Sequence, residues 1–148
     1  MTENNNEEDK EKQYHRELKK FLTPVLRRAT YRWSARNQAL TNARVERGLY
    51  MCAMCQGDFK KDEVCIDHIE PVVSVTEGFT NWHDYVVRMF PSVDGFQVLC
   101  EVCHDQKTMV EDSLRATYNA KRKEEKKRLK QEEKERKKQE KLLAKGKK

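Results

Sequence analysis

The sequence predicts a mixed α+β fold, in which a small core with a four-cysteine zinc site is flanked by N-terminal helices and a charged C-terminal tail. Two Cys-x2-Cys pairs predict the zinc site, and short β-like runs between helical patterns predict the mixed fold. Hydrophobic residues make up 36% of the 148 positions and charged residues 38%. The chain therefore has room for one domain, and part of it must lie outside any core.

The distribution of charge divides the chain into four predicted segments. Residues 1–12, with five acidic and two basic side chains, form a disordered acidic N-terminus, and residues 13–50, with two acidic and nine basic, form a basic helical arm. Residues 51–118 hold the cysteine motifs and carry twelve acidic and five basic side chains. Residues 119–148 form a Lys/Glu-rich basic tail, either a solvated helix or disordered. Basic arms attract phosphate backbones, and a solubilising surface is the alternative for the tail.

The basic arm predicts two helices. Apolar residues at helical spacing predict an amphipathic helix over Tyr14–Leu26, which Pro24 should break or kink. A second helix is predicted over Ser34–Arg47, with Ser34 as its N-cap and Gly48 as its C-terminal stop. The arginines of this second helix are candidate phosphate contacts: Arg36, Arg44 and Arg47.

Two aromatic residues lie among the arginines of the arm. Tyr31 and Trp33 stand between Arg28 and Arg36 in the sequence. One interpretation is that they stack on unpaired bases or make cation–π contacts. The other, which we favour, is that they pack the helical arm onto the core.

Beyond Gly48 the sequence predicts short strands. Leu49–Cys52 leads into the first cysteine pair, and residues 56–58 form a turn. A β-branched run predicts a strand over Val64–Ile69, which Pro71 limits, and residues 96–99 predict a second strand.

Two further helices are predicted in this part of the chain. Thr80 is the expected N-cap of a short helix that contains Trp82 and ends before Pro91. His83, on the polar side of that helix, is interpreted as a solvent-facing residue. A second helix fits from about Cys103 to Tyr118.

The N-terminus and the hydropathy of the chain predict a cytoplasmic protein. The first twelve residues are acidic and polar, without the charged-then-apolar order of a secretory signal. No apolar run reaches the ~18 residues needed to span a membrane, so no membrane association is expected. In a reducing cytoplasm, clustered cysteines are better interpreted as metal ligands than as disulfides.

Four cysteines in two pairs predict a structural zinc site. Tetrahedral zinc takes four ligands, and each Cys-x2-Cys turn presents two thiolates. Residues 56–99 separate the pairs and exceed the roughly 15–20 residues of an ordinary zinc ribbon, so a folded insertion is expected. Cys65 is interpreted as a small core residue. The predicted ligands are Cys52, Cys55, Cys100 and Cys103.

A second candidate site consists of Asp67, His68 and His104. Phosphodiester hydrolysis needs a deprotonated water and a divalent cation that neutralises developing charge. Histidine suits proton transfer near neutral pH, and a carboxylate such as Asp67 suits Mg²⁺, whereas an imidazole ligand from His104 would widen the choice toward Mn²⁺ or other transition ions. Adjacent residues of a strand point to opposite faces. If Asp67 and His68 serve one site, the strand must end or bulge there.

The order of these motifs resembles the HNH endonucleases, particularly the small zinc-containing versions of bacteriophages. The resemblance rests on Cys-x2-Cys, Asp-His-Ile and Gln-Val-Leu-Cys-x2-Cys-His-x2-Lys-Thr, and covers roughly residues 30 to 115. It implies a ββα-metal (His-Me finger) core in which two antiparallel strands and a helix hold a catalytic cation. It also implies an HNH nuclease domain over residues 51–118, acting on DNA as a monomer or homodimer in a bacterial host's cytoplasm, with other phage proteins as candidate partners.

The resemblance also implies roles for single residues. His68 would be the general base, Asp67 and His104 would hold catalytic Mg²⁺ or Mn²⁺, and Lys107 would contact phosphate. The family's middle asparagine, which holds the hairpin loop, aligns with Gly95 here, and Asp94 or Asn81 could substitute for it. The expected function is a metal-dependent DNA endonuclease that nicks or cleaves. The alternative is a non-catalytic, zinc-scaffolded DNA-binding or packaging accessory protein.

Overall fold

The structure of the chain is a computed structural model that describes residues 3–145, and it is a mixed α+β fold dominated by helices. Two short 3₁₀ turns, Lys61–Glu63 and Val93–Gly95, lie beside the strands. The helices are α1 (Glu3–Thr30), α2 (Ser34–Asn42), α3 (Trp82–Met89) and α4 (Glu101–Lys145). The strands are β1 (Arg44–Glu46), β2 (Leu49–Met51), β3 (Asp58–Lys60), β4 (Val64–His68) and β5 (Phe96–Cys100).

Strands β4 and β5 form an antiparallel pair that lies at the centre of the fold. Their register runs from Val64 opposite Cys100 to His68 opposite Phe96. Helix α4 begins at Glu101, directly after β5, and contacts both strands. Both predicted strands are therefore present, and the helix after them begins two residues before the predicted Cys103.

A three-stranded antiparallel sheet, in the order β1-β2-β3, precedes this pair. The sequence predicted that the second helix would continue to Arg47, which is wrong, because α2 ends at Asn42 and β1 pairs with β2. Gly48 lies in the turn between β1 and β2 at φ +85°, a conformation that glycine adopts without steric cost. The predicted N-cap is also displaced, since Trp33 holds that position.

Helix α1 is continuous over its 28 residues. The prediction of a disordered acidic N-terminus is therefore wrong for residues 3–12, while residues 1 and 2 lie outside the described part. Side chains one turn apart link this segment, and Lys12 lies 3.4 Å from Glu8. Pro24, the expected helix breaker, lies inside α1 without ending it.

Helix α3 is held against the arm formed by α1 and α2. Asn81 caps it by accepting a hydrogen bond from the Asp84 N–H (2.9 Å), so the prediction of Thr80 as N-cap is wrong by one residue. The Lys19 ammonium of α1 lies 4.1 Å from the centre of the Phe79 ring, just before α3. His83 is exposed, as predicted.

Helix α4 contains the predicted helix over 103–118 and most of the predicted tail. It continues to Lys145 as a solvated helix, and residues 119–142 are exposed throughout. Exposed ion pairs such as Lys137 with Glu133 (2.6 Å) link successive turns. Among the helices of residues 3–145, none combines the length and apolar character needed to cross a bilayer.

The hydrophobic core is small, and its central cluster consists largely of cysteine. Leu99 and Cys52 have no exposed surface, and Cys100 and Cys103 complete the same buried cluster. The partly buried side chains that pack against this cluster are Phe59 and Cys65. Cys65 thus takes the place in the core that its apolar neighbours in the sequence predict.

Candidate functional site

The first candidate site is formed by the four cysteines of the two Cys-x2-Cys pairs. Cys52 follows β2, and Cys55 lies in the tight turn after it, where the Gln56 N–H donates to the Cys52 carbonyl (2.9 Å). Cys100 ends β5, and Cys103 lies in the first turn of α4. The turn is tied to β5 because the N–H of Ala53 donates to the carbonyl of Val98 (2.8 Å).

The geometry of this cluster suits a tetrahedral metal. All four sulfur atoms lie within 4.8 Å of one another, and Cys55 Sγ lies 3.9 Å from Cys100 Sγ. Zinc–sulfur bonds of about 2.3 Å place tetrahedral ligands roughly 3.8 Å apart, whereas a disulfide requires about 2.05 Å. The five cysteines are free thiols in the structure. The predicted four-cysteine cluster is thus confirmed, and it can hold a structural metal such as zinc.

Hydrogen bonds within the cluster give the thiols of Cys52 and Cys103 different pKa values. Burial opposes ionisation of Cys52, but backbone N–H groups of Cys100, Cys55 and Met54 more than offset it and lower its pKa to about 6. Hydrogen bonding to the Cys100 sulfur, with burial second, raises the pKa of Cys103 to about 12. Cys52 therefore ionises more readily than Cys103, and a metal that binds both must displace the proton of Cys103.

The second candidate site is a cavity of about 580 Å³ between the arm, β4 and α4. Strand β4 contributes Asp67 and His68, and α4 contributes Lys107 and Glu111. Four arginines from three helices also line it: Arg27, Arg28, Arg36 and Arg115. Two carboxylates and a histidine thus lie in a cavity of predominantly positive surroundings.

Lys107 forms the centre of a charged cluster in this cavity. Its ammonium lies 3.0 Å from Asp67 Oδ2 and also contacts Glu111, and all three side chains are about one-fifth exposed. It also donates to the carbonyl of His68 (3.0 Å). Burial opposes the charge of Lys107, but hydrogen bonds to Glu111 and Asp67 prevail and raise its pKa. Asp67 accepts a further hydrogen bond from Gln97 Nε2 (3.1 Å).

His68 is held by contacts that fix which ring nitrogen carries the proton. Its Nε2 lies 3.1 Å from the carbonyl oxygen of Met89. A carbonyl only accepts, so Nε2 donates, and Nδ1 is the unprotonated nitrogen of the neutral ring. The ring packs against Phe96 with 4.8 Å between centroids. Strand β4 ends at His68, and both His68 and Asp67 line the cavity although neighbours in a strand diverge.

The predicted site residues are only partly brought together. Lys107 and Arg36 line the cavity with Asp67 and His68, but Lys107 contacts carboxylates rather than an open surface. Among the described residues, His104, Arg44 and Arg47 are not part of the cavity lining. His104 Nδ1 lies 3.8 Å from the exposed Asp105, and Arg44 donates to the carbonyl of Glu46 (3.0 Å) in the exposed strand β1.

Several residues of the cavity were not identified from the sequence. Glu111 and Arg115 lie four and eight positions after Lys107, so helical periodicity places all three on one face. That signal was available in the sequence. Arg27 and Arg28 come from the end of α1, and no local pattern links them to a strand forty residues later.

The surroundings of Gly95 leave no room for the asparagine that the HNH family has at this position. A Cβ atom at Gly95 would lie 2.5 Å from Pro91 Cβ, closer than real side chains approach. The backbone makes the tie instead, since the Ile69 N–H, just after β4, donates to the Gly95 carbonyl (2.9 Å). Of the two candidate substitutes, Asn81 caps α3, and Asp94 is an exposed residue of the 3₁₀ turn before β5.

Replacing Gly95 with asparagine is expected to destabilise the protein rather than repair a motif. The added Cβ must displace Pro91, and overpacking of this kind costs about 1–3 kcal/mol. Urea denaturation followed by circular dichroism measures the change. Asp94→Asn, one residue away on the surface, is the control and should change stability by less than about 0.5 kcal/mol. Equal stability of Gly95→Asn and the wild type would contradict this account.

Comparison with protein-family models, with curated proteins and with solved structures found no match to this chain. The resemblance to the HNH endonucleases therefore rests on the motif residues themselves.

Proposed function

We propose that this protein is a metal-dependent DNA endonuclease of the HNH type. The observation that carries the proposal is the convergence of Asp67 and His68 from β4 with Lys107 from α4 in one arginine-lined cavity. In this proposal β4, β5 and α4 form the ββα-metal unit. The cysteine cluster holds zinc, which fixes the start of α4 relative to β5 and thereby positions the residues of the cavity.

The side chains of the cavity are chemically suited to a divalent cation. The Asp67 and Glu111 carboxylates both contact the Lys107 ammonium, so these two groups already surround a positive charge. Magnesium prefers oxygen ligands, and Asp67 would hold it with Glu111 as a further carboxylate, whereas the predicted ligand His104 does not line the cavity. When bound, the cation neutralises charge that develops on the phosphate and on the leaving oxygen.

His68 is suited to accept a proton from the attacking water. Donation from Nε2 to the Met89 carbonyl leaves Nδ1 free to act as a base. Packing against Phe96 restricts rotation of the ring, so its base nitrogen keeps a fixed direction. Arg27, Arg28 and Arg36 line the same cavity and would hold the phosphate by charge-assisted hydrogen bonds.

A second candidate is a non-catalytic DNA-binding protein that retains this fold. Two observations favour it, namely that Lys107 neutralises Asp67 directly and that His104 is not among the residues lining the cavity. In that case the cavity arginines and the exposed, basic part of α4 would bind phosphates without hydrolysis. The two candidates therefore differ in whether Asp67 is needed for any chemical step.

Substitution of Asp67 by asparagine distinguishes the two candidates. Supercoiled plasmid is incubated with purified protein and Mg²⁺ or Mn²⁺, and relaxed and linear products are measured over time. We expect nicking that requires the cation and falls roughly 100-fold or more in Asp67→Asn, since even outer-sphere partners of metal ligands contribute about 10–100-fold. Asp9→Asn, at an exposed carboxylate of α1 that is not part of the cavity lining, should retain the wild-type rate.

The outcome of this assay is decisive in both directions. If Asp67→Asn nicks as fast as the wild type, the endonuclease proposal fails and contamination explains the activity. If the wild type binds plasmid in a gel-shift assay but produces no nicks with either cation, the non-catalytic candidate is supported. Zinc content is measured in parallel, so that loss of the cysteine-bound metal is not mistaken for loss of the catalytic cation.

A further inference from the structure

Tyr31 is an aromatic side chain left exposed at the edge of the cavity. It follows the end of α1, is 67% exposed and lines the cavity together with Asp67 and His68. The Arg36 guanidinium lies over its ring, 4.8 Å from the centroid. A large aromatic residue exposed within a basic cavity is a surface suited to a planar ligand.

The neighbouring tryptophan makes the contacts that fix the arm. Trp33 donates from Nε1 to the Pro91 carbonyl (2.7 Å) and packs edge-on against Phe90, with 5.7 Å between centroids. The two interpretations of the arm aromatics therefore apply to different residues. Trp33 packs the arm onto α3, and Tyr31 is not needed for that packing, which leaves it available to a ligand.

The surroundings of Tyr31 indicate what kind of planar ligand would bind. Arg36 covers one face of the ring, and cation–π attraction holds both groups in place. Arg27 and Arg28, one turn before Tyr31, line the same cavity and suit an anion next to the planar group. A planar group attached to a phosphate describes a nucleotide, and stacking on an aromatic ring is how proteins bind unpaired bases without reading their identity.

We propose that Tyr31, supported by Arg36, is a stacking platform for an unpaired nucleobase whose adjoining phosphate enters the arginine-lined cavity. This inference rests on the proposed endonuclease function and specifies its substrate as single-stranded or locally unpaired DNA. In a continuous duplex each base is stacked on its neighbours, so none presents a face to Tyr31 unless it is displaced. A mismatch, a bulge or a single strand supplies such a base at lower cost.

The test measures base stacking directly, without requiring cleavage. Oligonucleotides carrying 2-aminopurine, a fluorescent adenine analogue quenched by stacking, are titrated with the full chain in the absence of added Mg²⁺ or Mn²⁺. Three DNA forms are compared, namely a single strand, a duplex with the probe in a single-base bulge and a fully paired duplex. We expect quenching and tighter binding for the first two forms.

Variants of Tyr31 separate stacking from general attraction to phosphate. Tyr31→Ala should weaken binding of the single strand and the bulge by roughly 5- to 100-fold, and should leave binding of the paired duplex nearly unchanged. Tyr31→Phe keeps the ring and should bind like the wild type. Tyr14→Ala removes a different exposed tyrosine, which lies in α1 and is not part of the cavity lining, and should have no effect.

Two results would overturn the stacking proposal, and neither depends on nuclease activity. The first is an equal effect of Tyr31→Ala on all three DNA forms, which would reduce Tyr31 to a general contact. The second is unchanged probe fluorescence on binding of the wild type. Failure of the proposed function has a separate signature, because plasmid that is never nicked, or nicking that persists in Asp67→Asn, leaves the fluorescence result intact.

Discussion

Replacing Cys52 and Cys100 by serine together is expected to unfold the core of the protein. Three of the four residues in its central buried cluster are cysteines, and the fourth is Leu99. Structural zinc contributes about 10–16 kcal/mol in zinc-finger peptides, and a domain of this size is stable by only about 5–15 kcal/mol. Loss of two ligands therefore removes more free energy than the rest of such a small core can supply.

The measurement combines metal content with thermal unfolding. The wild type should carry about one zinc per chain and unfold in a single transition on heating. The double variant should carry no zinc and show no cooperative transition on heating from room temperature. Chelation of the wild type should reproduce that state, and added zinc should reverse it. Cys65→Ser is the control, because Cys65 packs against the cluster but is not one of the four ligands.

The control variant also sets the scale of an ordinary core substitution. A serine at Cys65 places a hydroxyl in a half-buried position and should cost about 1–3 kcal/mol, with zinc content unchanged. The zinc account would be refuted if the Cys52/Cys100 variant unfolded at the wild-type temperature, or if metal-free wild type retained its full transition.

The central strands and the cysteine cluster could be predicted from the sequence because local signals and long-range pairing agree there. Val64–His68 is rich in β-branched and apolar residues, and its partner β5 ends at the second cysteine pair. The paired cysteines bring distant segments together whatever lies between them. Because the shared metal site specifies this long-range contact, the prediction of the fold here does not depend on secondary-structure propensity alone.

The ends of the elements could not be predicted where tertiary pairing overrides local preference. Helix α2 ends at Asn42 because Arg44–Glu46 pairs with β2, and no pattern within those three residues indicates a strand. Gly48 is compatible both with a helix C-terminus and with a tight turn, so it favoured the wrong element. The polar strand Asp58–Lys60 was not predicted either, because its pairing with β2 and not a local sequence pattern specifies it.

The residues at the centre of the candidate site could be predicted from the sequence, and those at its edges could not. Asp67, His68 and Lys107 were identified because the motif order links β4 with α4. The arginines at the end of α1 line the cavity, and α1 packs on α3, a contact that the sequence pattern does not specify. His104 follows the motif and stands three residues before Lys107 on the same face of α4, yet it is not among the residues that line the cavity, and the sequence spacing does not indicate this difference.

Substituting His68 by glutamine is expected to slow nicking strongly without unfolding the protein. Glutamine retains an N–H that can donate to the Met89 carbonyl, but it has no basic nitrogen to accept a proton from water. General base catalysis contributes about 10²–10⁴-fold to the rate, so the rate of plasmid nicking should fall by that factor. His83→Gln, at an exposed histidine of α3, should nick at the wild-type rate.

Rescue by added imidazole separates a catalytic role for His68 from a structural one. His68→Gly removes the whole ring, which leaves space beside Phe96 where free imidazole can bind and accept the proton. We expect imidazole to restore part of the activity of His68→Gly and none of that of His68→Gln, whose side chain still fills the space. If His68→Gln nicked at the wild-type rate, His68 would not be the base. If neither variant responded to imidazole and both had lost their cooperative unfolding, the contacts with Met89 and Phe96 would be the main role of this histidine.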